Sequence, residues 1–158
     1  MALITRILCP TDFSETAQQA FQYADQLAAQ LQAELLVLHA FDKPAALTAA
    51  GQSIPADPHL RDRLDAITSA HGTTQVQRLL HVGAPGEVIC WLANHQHCDL
   101  IVLGTHGRTG LRHLVLGSVA EYVVRHARCP VLTLRMTSSQ EPLPKEPRVL
   151  PVPAPRLM

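Results

Sequence analysis

At 158 residues the chain has room for one domain with a full core and too little for two, and its 13 basic and 13 acidic side chains cancel. A zero net charge gives no overall field to draw it onto nucleic acid or anionic lipid, and no apolar run approaches membrane-spanning length. Hydrophobic residues make up 47% but aromatics only 4%, so the core is aliphatic, the palette of a parallel sheet covered by helices.

The opening MALITRILCPTD meets Arg6, Pro10 and Asp12 before a long apolar run can develop, so neither a signal peptide nor an anchor is expected. Residues 5–9 read as a first strand, ended by Pro10. The loop PTDFSE follows, with Asp12 or Ser14 placed to cap the next helix. Ala17, Ala20, Phe21, Ala24, Leu27, Ala28 and Leu31 then recur at helical spacing, giving an amphipathic helix of about five turns. Residues 35–40 form a second apolar strand, and residues 41–57, with Pro44, Gly51 and Pro55, read as a loop without period. A helix is predicted over 58–71, with Leu60, Leu64 and Ile67 inward and Gly72 as its stop. Residues 75–82 alternate as a third strand. Pro85 then stands in the first turn of a helix whose face is Val88, Ile89, Leu92 and Ala93. Residues 99–104 are the fourth strand, 118–128 the last helix and 131–134 the fifth strand.

Strands alternating with helices predict a doubly wound α/β domain over residues 1–136: a five-stranded parallel sheet of order 3-2-1-4-5, helices on both faces and right-handed crossovers. Residues 137–158 are a Pro-rich tail, expected to be disordered. Cys9, Cys90, Cys98 and Cys129 form no C-x-x-C, the usage of reduced, buried thiols in a cytoplasmic protein. His95, His97 and Cys98 are ligand types, but they share a helix end with no fourth partner nearby, and no metal is expected. His39 and His81 fall near the ends of neighbouring strands and read as partly buried, hydrogen-bonded histidines. No Ser-His-Asp or Cys-His pair is visible.

The informative stretch is DLIVLGTHGRTGLRHLVLGS, residues 99–118. An apolar run, 100–103, ends at Gly104; Gly104, Gly107 and Gly110 then recur every three residues in a loop carrying His106, Arg108, Arg112 and His113 and no acidic residue. Ser118 and Glu121 make an S-x-x-E capping pattern at the next helix start. A strand end, a basic glycine loop and a helix N-terminus together favour an anion such as phosphate. The pattern is neither a Walker A loop nor G-x-G-x-x-G, and an ordinary surface loop shares its composition. In a 3-2-1-4-5 sheet the loops after strands one and four flank one crevice. Asp12 keeps two readings here, a helix cap with Glu15 three residues on, or a ligand contact.

Four segments carry a resemblance: ILCPTDFSE, LLVLHAFD, HVGAPGEVI and GTHGRTGLRHLVLGSVAEYVVRHARCPVLTLR. They cover most of residues 3–135, and the last holds G-x-x-G, nine residues and G-S without a gap. In these the chain resembles the universal stress proteins of the single-domain, ATP-binding kind. The resemblance implies an adenine-nucleotide alpha-hydrolase-like fold with ATP, and Mg²⁺ with it, between the two loops. Asp12 and the backbone near Ala40 would meet adenine, and Pro10 and Gly104 would lie by the ribose. Thr11 and Leu103 belong to the same set, with His106, Gly107, Gly117, Ser118 and Val119 under the phosphates and Arg108 steering them. It also implies a homodimer through the edge strand at residues 131–134. The expectation is therefore a cytoplasmic, ATP-binding regulatory or stress-response protein, with at most slow hydrolysis and no nucleic-acid or membrane partner. Two alternatives stand beside it: a slow nucleotide-using enzyme (ATPase or adenylyl transfer) on the same fold, and a nucleotide-free interaction module.

Overall fold

The computed structural model describes residues 3–42, 44–47, 49–51, 53–55, 57–72, 75–105 and 116–135. The first half runs β1 (Arg6–Pro10), α1 (Glu15–Leu31), β2 (Glu34–Phe41), β3 (Pro44–Leu47), β4 (Ser53–Pro55) and α2 (Leu60–Asp65). The second runs β5 (Val76–Val82), α3 (Pro85–His95), β6 (Leu100–Gly104), α4 (Ser118–His126) and β7 (Val131–Leu134). The main sheet has the order β5-β2-β1-β6-β7 with every pair parallel, which is the expected 3-2-1-4-5 arrangement counted along its own five strands.

Strand pleat sorts the apolar runs into two cores. Ile7, Cys9, Leu35, Val37, Leu100 and Val102 face Ala20, Phe21, Ala24 and Ala28 of α1 and Leu64 of α2. Their neighbours Leu8, Leu36, Leu38, Ile101 and Leu103 face Ile89, Leu92 and Ala93 of α3 and Ala120 and Val123 of α4. Both faces of the central strands are thus covered, which is why these strands read as unbroken apolar runs. Cys9 and Cys98 are buried, all four cysteines are free, and burial pushes the Cys9 and Cys98 thiols up to about 12. No group of three or more metal-ligating side chains occurs among the described residues, and none of their helices is long and apolar enough to cross a membrane.

Two expectations need correction. Residues 41–57 are not an aperiodic loop: β3 and β4 pair antiparallel, with Pro44 opposite Pro55 and Gly51 at φ 78° between the strands. Proline is tolerated at the end of such a ladder, and glycine supplies the left-handed turn. The helix predicted over 58–71 stops at Asp65. Beyond it, Asp25 of α1 accepts hydrogen bonds from Ser69 Oγ (2.6 Å) and Ala70 N (2.9 Å), and Arg78 Nε donates to Ile67 O at 2.9 Å. These side chains take up groups a further helical turn would have paired internally.

Candidate functional site

β1 continues through α1 to β2 on one side, whereas β6 continues through α4 to β7 on the other. The loops leaving the carboxyl ends of these adjacent strands therefore part, opening a crevice where the strand order switches. It holds a cavity of about 270 Å³.

The loop after β1 is fixed by its own polar groups. Thr11 N donates to Leu38 O (2.8 Å), Phe13 N to Thr11 Oγ1 (3.0 Å) and Ser14 N to Asp12 Oδ1 (3.0 Å). Ser14 rather than Asp12 is the N-cap of α1, its Oγ accepting from Ala17 N at 3.2 Å. Asp12 instead shapes the turn through its bond to Ser14 N and lines the cavity. His39 is only 9% exposed, and its Nδ1 lies 2.8 Å from Thr11 O. A carbonyl only accepts, so Nδ1 carries the proton. Phe13 sits at φ 63°, a conformation that costs a non-glycine residue about 1–2 kcal/mol. Its ring packs 4.7 Å from His39 and 4.2 Å beneath the Arg63 guanidinium, holding it there.

The opposite wall starts at Gly104. A Cβ there would meet Thr16 Cγ2 at 2.5 Å and Thr16 O at 3.2 Å, so only glycine lets the end of β6 lie against α1. Gly104→Ala is therefore expected to cost about 1–3 kcal/mol through overpacking. The measurement is the urea midpoint, and a wild-type value would disprove the close approach.

Thr105 N donates to Leu134 O (2.9 Å) and Gly117 N to Thr105 O (2.6 Å), which returns the chain to the strand end as α4 begins. The N-cap is Gly117, at φ −69° and ψ 161°, with no side-chain cap. The expected Ser118–Glu121 capping box does not form. With Gly117 at the cap, Ser118 is the first helical residue, and Glu121 falls one position too late to reach back; it pairs with Arg125 at 3.0 Å instead. Among the described residues the first N–H groups of α4 thus have neither an intrahelical carbonyl nor a capping side chain, at the positive end of the helix dipole.

Of the residues expected at the site, Pro10, Thr11, Asp12, Ala40, Leu103, Gly104, Gly117, Ser118 and Val119 line this one cavity. His106, Gly107 and Arg108 lie outside the described residues. The lining also includes Ala17, Leu38, His39, Pro85, Ile89, Thr105 and Ala120, which were not assigned to it. Leu38 and Ile89 carry only the signature of core positions, and Pro85 that of a helix start. Thr105 had a signal in lying between two expected site residues.

A doubly wound parallel sheet with a cleft at its switch point and a helix start in the wall is the α/β architecture in which ligands characteristically sit at the carboxyl ends of the strands. More particularly, the chain belongs to the universal stress protein family, which it matches over residues 4–135. A universal stress protein of Methanocaldococcus jannaschii is 31% identical over 84% of this chain and 83% of its own length. The solved structure of universal stress protein UspA from Lactobacillus plantarum is 33% identical, covers 84% of this chain and 98% of its own, and superposes with a TM-score of 0.64. A universal stress protein solved in complex with cAMP is 26% identical over 84% of this chain and 97% of its own, with a TM-score of 0.66.

Proposed function

We propose that this chain is a cytoplasmic stress-response protein that holds ATP in the cleft between the loops after β1 and β6 and acts by binding it. One observation carries the reading: the end of β1, the end of β6 and the uncapped first turn of α4 meet around a single cavity. Such a cavity offers a carboxylate and backbone groups on one side and the positive end of a helix on the other. The relative in complex with cAMP supports an adenine nucleotide as the ligand class. Asp12 and the backbone near Ala40 take the adenine, with Thr11 and Leu103 completing that wall and Pro10 and Gly104 beside the ribose. Gly117, Ser118 and Val119, together with His106, Gly107 and Arg108, serve the phosphates. The oxygen-bearing side chains of the described lining are Thr11, Asp12, Thr105 and Ser118. With a single carboxylate that set is too sparse to hold a bare Mg²⁺, which would instead rest mainly on phosphate and water oxygens. Calorimetric titration with ATP, ADP and AMP is the test. Saturable binding of ATP supports the reading, and no binding of any of the three rejects it.

The same reading makes the protein a homodimer through β7. Among the described strands β6 is its one neighbour in the sheet, and Val131, Leu132 and Leu134 pack on the two cores, so it is the backbone of the other edge that would take the matching strand of a second copy. Leu132→Lys or Thr133→Pro is expected to convert dimer to monomer, and deletion of residues 138–158 to leave the dimer intact. Sedimentation velocity decides; a wild-type monomer at micromolar concentration rules out this assembly.

A further inference from the structure

A second cleft, of about 540 Å³, lies between α1 and the segment 66–71, with Thr11 and Ala17 shared between its lining and that of the first. Its walls include the rings of Phe13 and Phe21 and three amides, Gln18, Gln22 and Gln26, that recur every fourth residue along one ridge of α1. Asp25 also faces it and is only 2% exposed. The partners of that carboxylate are neutral: Ser69 Oγ donates to Oδ1 at 2.6 Å and Ala70 N to Oδ2 at 2.9 Å. Among the described residues no basic side chain lies within 4.0 Å of it, and the one basic residue in the lining is the exposed His71, which forms no ion pair with Asp25.

A buried carboxylate is expensive unless a cation answers it, and two hydrogen bonds leave about half of its accepting capacity unused. We propose that this cleft is a second binding site, for a small aliphatic amine whose ammonium group sits on the Asp25 carboxylate. An organic cation fits better than a metal ion. The cavity is far larger than an ion, Asp25 is the lone carboxylate in its lining, and the described residues hold no group of three metal ligands. The amide oxygens of Gln18, Gln22 and Gln26 accept further ammonium N–H donors, and the Phe13 and Phe21 rings pack against methylene carbons.

The probe is 1,4-diaminobutane, titrated calorimetrically into the full chain, with uncharged 1,4-butanediol as its control. Saturable binding of the diamine at one site per chain and none of the diol is expected. Gln22→Lys, at an exposed position one turn before Asp25, supplies a tethered ammonium. It is expected to raise the melting temperature by a few degrees and to weaken diamine binding by about tenfold or more. Asp25→Asn is expected to weaken it as much; should that variant fail to fold, the Gln22→Lys comparison decides alone. No saturable binding to the wild type, equal binding of the diol, or undiminished affinity in Gln22→Lys would each overturn the assignment. ATP binding in the first cleft is measured separately and stands or falls without it.

Discussion

Gly117→Asp is expected to leave the chain folded while weakening ATP binding by about 100-fold, the larger of its two effects. Gly117 is the N-cap of α4 in an extended conformation open to any residue, so a side chain there adds no backbone strain. Aspartate is among the preferred caps, and its carboxylate would accept the N–H groups of Val119 or Ala120, a gain of a few tenths of a kcal/mol over glycine. Of these, the N–H of Val119 is among the groups assigned to phosphate. Two unit charges 4 Å apart repel by about 4 kcal/mol at an effective dielectric constant of 20, near a thousandfold in affinity. Ser118 and Val119 are exposed, so water screens part of this, which brings the expectation down to about 100-fold. Gly117→Ser separates charge from shape: it caps equally well without a negative charge, and its affinity is expected to stay within about threefold of wild type. Titration of all three forms, with thermal melts alongside, makes the check. Equal affinity in Gly117→Asp and wild type would remove the phosphates from the start of α4.

What the sequence disclosed and what it hid divide along the range of the interactions involved. The runs at Leu35–Leu38 and Leu100–Leu103 were legible as central strands, because burial on both faces leaves its mark on every residue in turn. The strand order followed from the alternation of strands and helices. The end of α2 was not legible: Asp25, which holds Ser69 and Ala70, lies 44 and 45 residues earlier in the chain. Nothing between positions 58 and 71 announces that partner. Ser118 misled for a local reason, since S-x-x-E fits a cap at either of two adjacent residues and Gly117 took the place. At the cleft, loop residues beside an apolar run were identifiable by position. Leu38 and Ile89 line it with side chains also packed in the core, and an apolar residue with both duties looks like one with the second alone.

Bound ATP is expected to turn over at about 10⁻³ s⁻¹ or slower, against about 1–100 s⁻¹ for kinases. Hydrolysis needs an oriented water, a group to position it and stabilisation of the charge on the transferring phosphate. The first turn of α4 supplies fixed positive potential, and Arg108 and Arg112 of the glycine-rich stretch add positive charge in the sequence. The group that positions water is the missing element. Residues 105–117 contain no Asp, Glu or Gln. Asp12, the carboxylate of the described lining, belongs to the loop after β1, where its Oδ1 already accepts from Ser14 N. His39, whose Nδ1–H donates to Thr11 O, lies beside the wall proposed for the adenine, at the end of the cleft away from the proposed phosphate positions. His106 is the remaining candidate base, and a histidine set against phosphate is held protonated, which unfits it to accept a proton. A single-turnover assay with protein in excess over labelled ATP and Mg²⁺ measures the rate. Conversion within seconds, lost in His106→Ala and kept in a variant at the exposed Tyr23, would make this protein an enzyme. Retention of intact ATP over many minutes is the expected result, because the proposed site stabilises charge on the phosphates while its described lining offers no base placed to deliver water to them.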